Sequence, residues 1–144
     1  MKISHINYET KYYYPTFQAY EKTFVMVKPD AFERNLDDTI MNQLVKTDLK
    51  ISHQWEGIPN IEKVEKLYSQ YKQKNFFKEW MDYLANGKIR VMIIEGEDAV
   101  NEVLNVKKQV RAEYAPNEKR YNLMHSSDTV DDAKREGGIF FCMA

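Results

Sequence analysis

The sequence predicts an α+β fold, a mostly antiparallel sheet with helices over one face, in a split β-α-β sandwich of the ferredoxin type. Three observations predict it. The runs TFVMVK at 23–28 and IRVMIIEG at 89–96 are apolar and β-branched, the pattern of strands buried on both faces. Several intervening segments carry apolar residues three or four apart, the pattern of amphipathic helices. The elements then alternate as strand, helix, strand, helices, strand, helix, loop, helix, strand, with no internal repeat and no linker that would mark a second globular unit.

Taken in order, residues 1–20 contain five tyrosines and a proline in YETKYYYPTFQAY and show no helical period. They read as an N-terminal extension, with room for a short strand, that packs on a neighbouring surface. The strand at 23–28 stops at Pro29, which cannot donate to a ladder. Leu36, Ile40 and Leu44 predict a helix over 37–47. LKISHQWEG at 49–57 alternates as a strand and is closed by Gly57 and Pro59, after which Asn60 can cap the next helix. Ile61, Val64, Leu67 and Tyr71 mark that helix. Phe76, Phe77, Trp80, Met81 and Leu84 mark another, ended by Asn86-Gly87. A helix over 98–108 follows the strand at 89–96. The segment after it, basic and irregular, leads to a helix capped by Ser126 or Ser127, ended by Gly137-Gly138, and a last short strand at IFF.

Composition narrows the function. A chain of 144 residues, 43% hydrophobic and 30% charged, is long enough for one buried core. No apolar run approaches the roughly 20 residues that span a bilayer, and the N-terminus lacks the apolar core of a secretory signal, so no membrane association is expected. The single cysteine, Cys142, leaves no internal disulfide and no cysteine zinc site, which fits a reducing, cytoplasmic setting. A formal net charge of −1 gives no global field for a polynucleotide. Any anion site must be built locally, and Lys107, Lys108, Arg111, Lys119 and Arg120 supply a local cluster just before the stretch YNLMHSSD at 121–128. A solvated basic loop is the plainer reading of that cluster.

In that stretch His125 precedes a capped helix, whose first turn presents unpaired N–H groups and the positive end of the macrodipole. An imidazole there could carry a phosphoryl group if a carboxylate oriented its ring. Glu136 is one candidate, and Asp128 is nearer but reads as a helix-stabilising first-turn residue. A buried structural histidine is the alternative. Lys28, at a strand end, is either a solvated lysine or a point-charge phosphate ligand. No glycine-rich phosphate loop and no zinc-spaced histidine pair occurs, and neither His5 nor His53 receives a role.

Four stretches converge on one family: EKTFVMVKPDAFER at 21–34, KLYSQYKQKNFFKEWMDYLANG at 66–87, VMIIEG at 91–96 and NLMHSSDTVDDAKREGGIFF at 122–141. Together they resemble nucleoside diphosphate kinase over roughly 21–141, so that 1–20 stands as the extension and 21–144 as the kinase-like domain. The resemblance implies ping-pong transfer of a γ-phosphate from a nucleoside triphosphate to a nucleoside diphosphate through phosphorylated His125. It implies that Glu136 holds the other ring nitrogen and that Ser127 supports Glu136. Lys28 would contact the transferred phosphate and the ribose, and Tyr68 would lie near that phosphate. Arg111 would neutralise phosphate charge, Asn122 would bond the sugar, and Phe76 would stack on a base of any kind. Mg2+ would be held mainly by the nucleotide's phosphates, and a homo-oligomer is the expected assembly.

The chain departs from the family pattern in three ways. Between Gly96 and Arg111 it is shorter, as in some viral members. The family's second phosphate-binding arginine and a nearby threonine then lack a clear counterpart, with Leu104 near the arginine's place and Lys107 or Lys108 as substitutes. Ala31 and Ser126 stand where the family has glycine. The chain also stops after IFF without the usual C-terminal assembly segment, a role the tyrosine-rich extension is expected to assume. The alternative these departures leave open is a catalytically impaired module of the family fold that binds nucleotide or a protein partner.

Overall fold

The computed structural model describes residues 5–7, 12–14 and 19–142. Strands β1 (His5–Asn7) and β2 (Tyr12–Tyr14) pair as a small antiparallel sheet. How the tyrosine-rich extension packs lies otherwise outside the described residues.

The main sheet contains β3 (Tyr20–Val27), β4 (Lys50–Gly57), β5 (Ile89–Glu97) and β6 (Met124–Ser126) in the order β4-β5-β3-β6. Every neighbouring pair is antiparallel. β3 connects to β4 through α1 (Pro29–Glu33) and α2 (Asp37–Val45), skipping over β5. β5 connects to β6 through α5 (Ala99–Tyr114), skipping over β3. These two interlocked crossovers are the split β-α-β arrangement the sequence predicts.

The helices cover both faces of the sheet, not one. The cause is visible in the period-2 alternation of the central strands. Val25 and Val27 of β3, with Met92 and Ile94 of β5, pack against Ile40 and Leu44 of α2 and Val103, Val106 and Val110 of α5. Phe24 and Met26, with Val91 and Ile93, face the other way. They pack against Val64 and Leu67 of α3 (Ile61–Leu67) and Trp80, Met81 and Leu84 of α4 (Phe77–Ala85). Phe140, in the last turn of α6 (Val130–Phe140), closes that side by stacking on Phe24 at 5.5 Å between ring centres. A strand apolar on both faces requires two helical layers, so the sequence's own reading of β3 already contained the second one.

Several boundaries differ from expectation. Pro29 opens the one-turn helix α1, because a residue without an N–H costs nothing at a first helical position. The helix expected over 98–108 runs on to Tyr114, since Val106 and Val110 continue its buried face. Half of the basic segment is therefore helical. α6 is capped by Thr129, whose hydroxyl accepts the Asp132 amide at 3.0 Å, and not by Ser126 or Ser127. It passes through Gly137-Gly138, so IFF contributes the end of a helix and not a strand. Among the described residues no helix is long and apolar enough to cross a membrane.

One close approach links the fold to the site. Gly87, in the turn between α4 and β5, lies under Pro29, so that a Cβ added there would meet Pro29 Cβ at 2.5 Å. Gly87→Ala is expected to cost about 1–3 kcal/mol, the usual range for overpacking, measured by urea unfolding. A variant as stable as wild type would show that the turn does not bear on the start of α1.

Candidate active site

His125 lies on an edge strand, opposite Met26 of β3. This corrects its expected place beside a helix N-terminus. β6 is three residues long, and α6 begins only at Val130. Local pattern could not reveal so short a strand, whose ladder comes entirely from β3. The turn entering it is a γ-turn at Leu123, where φ is +77° and the Met124 amide donates to the Asn122 carbonyl at 2.9 Å. A non-glycine residue in that region carries about 1–3 kcal/mol of strain. The buried Asp30 carboxylate offsets it by accepting the Leu123 amide at 2.9 Å, a charge-assisted bond of similar size, about 1.5–3 kcal/mol. Ala31 lies in a helix and Ser126 in a strand, neither at positive φ, so neither position carries backbone strain that a glycine would relieve.

The His125 ring is held from one side. Its Nε2 lies 2.8 Å from Oε1 of Glu136, which reaches in from the C-terminal half of α6 and is 4% exposed. The Ser127 hydroxyl donates to the same oxygen at 2.6 Å, and Arg135 reaches Oε2 at 3.4 Å. Burial by itself would raise the Glu136 carboxyl. The hydrogen bond and charge of His125, the Ser127 bond and Arg135 outweigh it, and the group sits below its ordinary value. An ionised carboxylate facing Nε2 fixes the N–H there and leaves the lone pair on Nδ1. Asp128 is mostly exposed, and its partner is Lys107 at 4.0 Å.

Opposite the ring, cations converge. Lys28 follows β3 and is only 4% exposed, with its ammonium donating to the Arg120 carbonyl at 2.9 Å and to the Asn122 side-chain oxygen. It also sits 4.9 Å over the Trp80 ring. Burial lowers Lys28 to about 7, against the pull of Asp30 and with the repulsion of Arg111 and Lys107. Arg111, in the last turn of α5, donates to the Met124 carbonyl at 2.6 Å and to the Asn122 side chain at 3.2 Å. Asn122 thus joins Lys28 to Arg111. Lys107 is one helical turn before Arg111 and shares its face, so both border the cleft, whereas Lys108 is rotated outward and exposed. Of the two lysines expected as substitutes for an arginine, only Lys107 borders the cleft.

Tyr68 is buried, its ring 5.8 Å from that of His125. Burial, and next the Glu136 charge, push its hydroxyl above the usual phenol range, so it remains a proton donor. Tyr71 lies 6.3 Å beyond Tyr68, and Phe76 a further 6.2 Å beyond Tyr71. Of the site residues expected from the sequence, Lys28, Tyr68, Phe76, Lys107, Arg111, Asn122, His125 and Glu136 line one cleft of about 640 Å³, and Ser127 and Lys108 do not. The cleft therefore has an imidazole, a cluster of cations and an aromatic platform. Asp30 and Trp80 received no site role in the sequence, and Arg120 stood there only as a member of the basic cluster. Asp30 stood inside the Lys-Pro-Asp motif, but its partner is 93 residues away.

Comparisons with known proteins agree with this arrangement. The family model described as nucleoside diphosphate kinase matches residues 21–144. A nucleoside diphosphate kinase of Sulfurisphaera tokodaii is 36% identical over 135 residues, covering 84% of this chain and 88% of its own. One from Saccharolobus solfataricus is 34% identical, covering 84% and 94%. Among solved structures, a nucleoside diphosphate kinase family protein from Babesia bovis superposes with a TM-score of 0.80 at 29% identity, covering 84% and 88%. A nucleoside diphosphate kinase from Halobacterium salinarum, determined in complex with CDP, superposes with a TM-score of 0.76 at 28% identity, covering 85% and 88%. With a family model matched across the whole cleft-bearing part of the chain, and relatives of that name along most of its length, this chain belongs to the nucleoside diphosphate kinase family of phosphotransferases.

Proposed function

We propose that the chain transfers the γ-phosphate of a nucleoside triphosphate to a nucleoside diphosphate by a ping-pong route through His125. The observation that carries this reading is the 2.8 Å contact between Nε2 and the Glu136 carboxylate, which leaves Nδ1 as the nucleophilic nitrogen beside a cationic cleft. In the first half-reaction the Nδ1 lone pair forms an N–P bond as the bond from Pγ to the bridging oxygen breaks. The electron pair leaves with the nucleoside diphosphate. The Nε2 proton stays in place, and Glu136 stabilises the positive charge that the ring acquires. A terminal oxygen of the acceptor diphosphate then attacks phosphorus, and the N–P bond breaks to restore the imidazole.

Lys28, Lys107 and Arg111 would neutralise the phosphate charge, and the Tyr68 hydroxyl would donate to the transferring group. Asn122 would hold Lys28 and Arg111 in register as well as reach the sugar. Phe76 would take the base on its face, which is indifferent to base identity. A cleft rich in cations suits Mg2+ carried on the nucleotide's phosphate oxygens rather than on side chains. Bound in that way, the ion would add to the charge neutralisation.

Three outcomes test this reading. Incubation with ATP and Mg2+ is expected to leave acid-labile, base-stable phosphate on the wild type. His125→Ala should have none, and its transfer rate should fall by more than about a thousandfold, as for other nucleophile deletions. A wild type without phosphoenzyme would end the proposal. In Ser127→Ala, Glu136 loses one donor and its carboxyl rises. The acid limb of phosphoenzyme formation should then move upward by about half a pH unit to one unit, which is ~1 kcal/mol for one hydrogen bond. An unmoved limb would mean that Ser127 does not tune Glu136. Lys28 is charged below about 7 and loses that charge as pH rises, so ADP binding should weaken progressively from about pH 7 to about pH 9. In Lys28→Gln that dependence should vanish, and its persistence would assign it to another group.

A further inference from the structure

Arg120 follows α5 in an exposed turn, yet its guanidinium is folded back over an aromatic ring. Its Cζ stands 5.1 Å from the centre of the Phe76 ring, and both residues line the cleft. The backbone of Arg120 is tied to the opposite, cationic part of the site, because its carbonyl accepts the Lys28 ammonium at 2.9 Å. The main chain is therefore held while the side chain remains free to swing. Three cations, Lys28, Lys107 and Arg111, already crowd around Asn122 and the approach to His125, and Lys28 and Arg111 share one amide oxygen. A fourth cation there would be repelled. Over Phe76 it gains a π-face instead.

From this we infer that Arg120 forms the second wall of a base slot. The aromatic ring of a nucleotide enters between Phe76 and the Arg120 guanidinium and is stacked on both faces. The inference rests on the nucleotide reading above and adds a residue to it. A base stacked on Phe76 and covered in turn needs about 7 Å between the outer partners, or two ordinary contacts of roughly 3.5 Å. The guanidinium has to lift by about 2 Å, which a long exposed side chain does readily. Until then it shields the Phe76 face from water. The planar, delocalised cation stacks on any base and is weakly hydrated, so the slot grips bases without choosing among them.

Binding of two ligands separates this role from phosphate neutralisation. With the full chain and Mg2+, titrations would compare ADP with inorganic tripolyphosphate, which has no base. Arg120→Ala is expected to weaken ADP binding about tenfold, the change that corresponds to ~1.4 kcal/mol of stacking, and to leave tripolyphosphate within about twofold. Arg120→Lys should fall between wild type and Arg120→Ala for ADP, because an ammonium keeps the charge without the plane. Equal losses for both ligands would make Arg120 a phosphate ligand and overturn the inference, as would unchanged ADP binding. If the wild type itself binds ADP no better than tripolyphosphate, the nucleotide reading falls as well. If the wild type prefers ADP and Arg120→Ala keeps that margin, only the base wall falls.

Discussion

The site depends on one buried bond, that between the Asp30 carboxylate and the Leu123 amide. Asp30 belongs to the turn of helix that follows the central strand, and Leu123 to the turn that enters the histidine's strand. Their bond joins the two chain segments at the end of the sheet where the chemistry lies. It also supports a backbone conformation that leucine would not adopt alone. Once that turn is held, β6 needs only three paired residues to place His125 opposite Met26, and Ser127 follows with its amide on the Phe24 carbonyl at 3.1 Å. Tyr83 donates its hydroxyl to the other oxygen of Asp30 at 3.3 Å, so α4 is tied to the same point.

Charge is arranged around that frame in two opposed halves. Behind the imidazole lies an ionised carboxylate that keeps its charge in spite of burial, because Ser127 and Arg135 help the ring to stabilise it. In front lie cations that burial weakens, Lys28 most of all. A buried ammonium is expensive, several kcal/mol before compensation, and here a carbonyl, an amide oxygen and the Trp80 ring offset the cost. An incoming anion would relieve what remains.

The departures from the family pattern also have a physical account. The shortened stretch between Gly96 and Arg111 does not form a loop. It becomes the middle of α5, which brings Lys107 and Arg111 onto one face, one turn apart. Both cations therefore border the cleft from one rigid helix. The helix turns Lys108 away for the same reason, since adjacent residues differ by about 100° around the axis.

What the sequence determined by itself was local or periodic. Apolar runs marked β3 and β5, apolar residues three or four apart marked the helices, and Asn122, His125, Ser127 and Glu136 stood within one short stretch whose resemblance to the family marked the histidine. Tertiary structure alone decided the strand under His125 and which of Lys107 and Lys108 borders the cleft. It also decided the partners of Asp30 and Arg120. A three-residue edge strand exists only because β3 lies beside it. A strained turn persists only because a carboxylate 93 residues away meets it. Such contacts are set by packing between distant segments, and no local pattern encodes them.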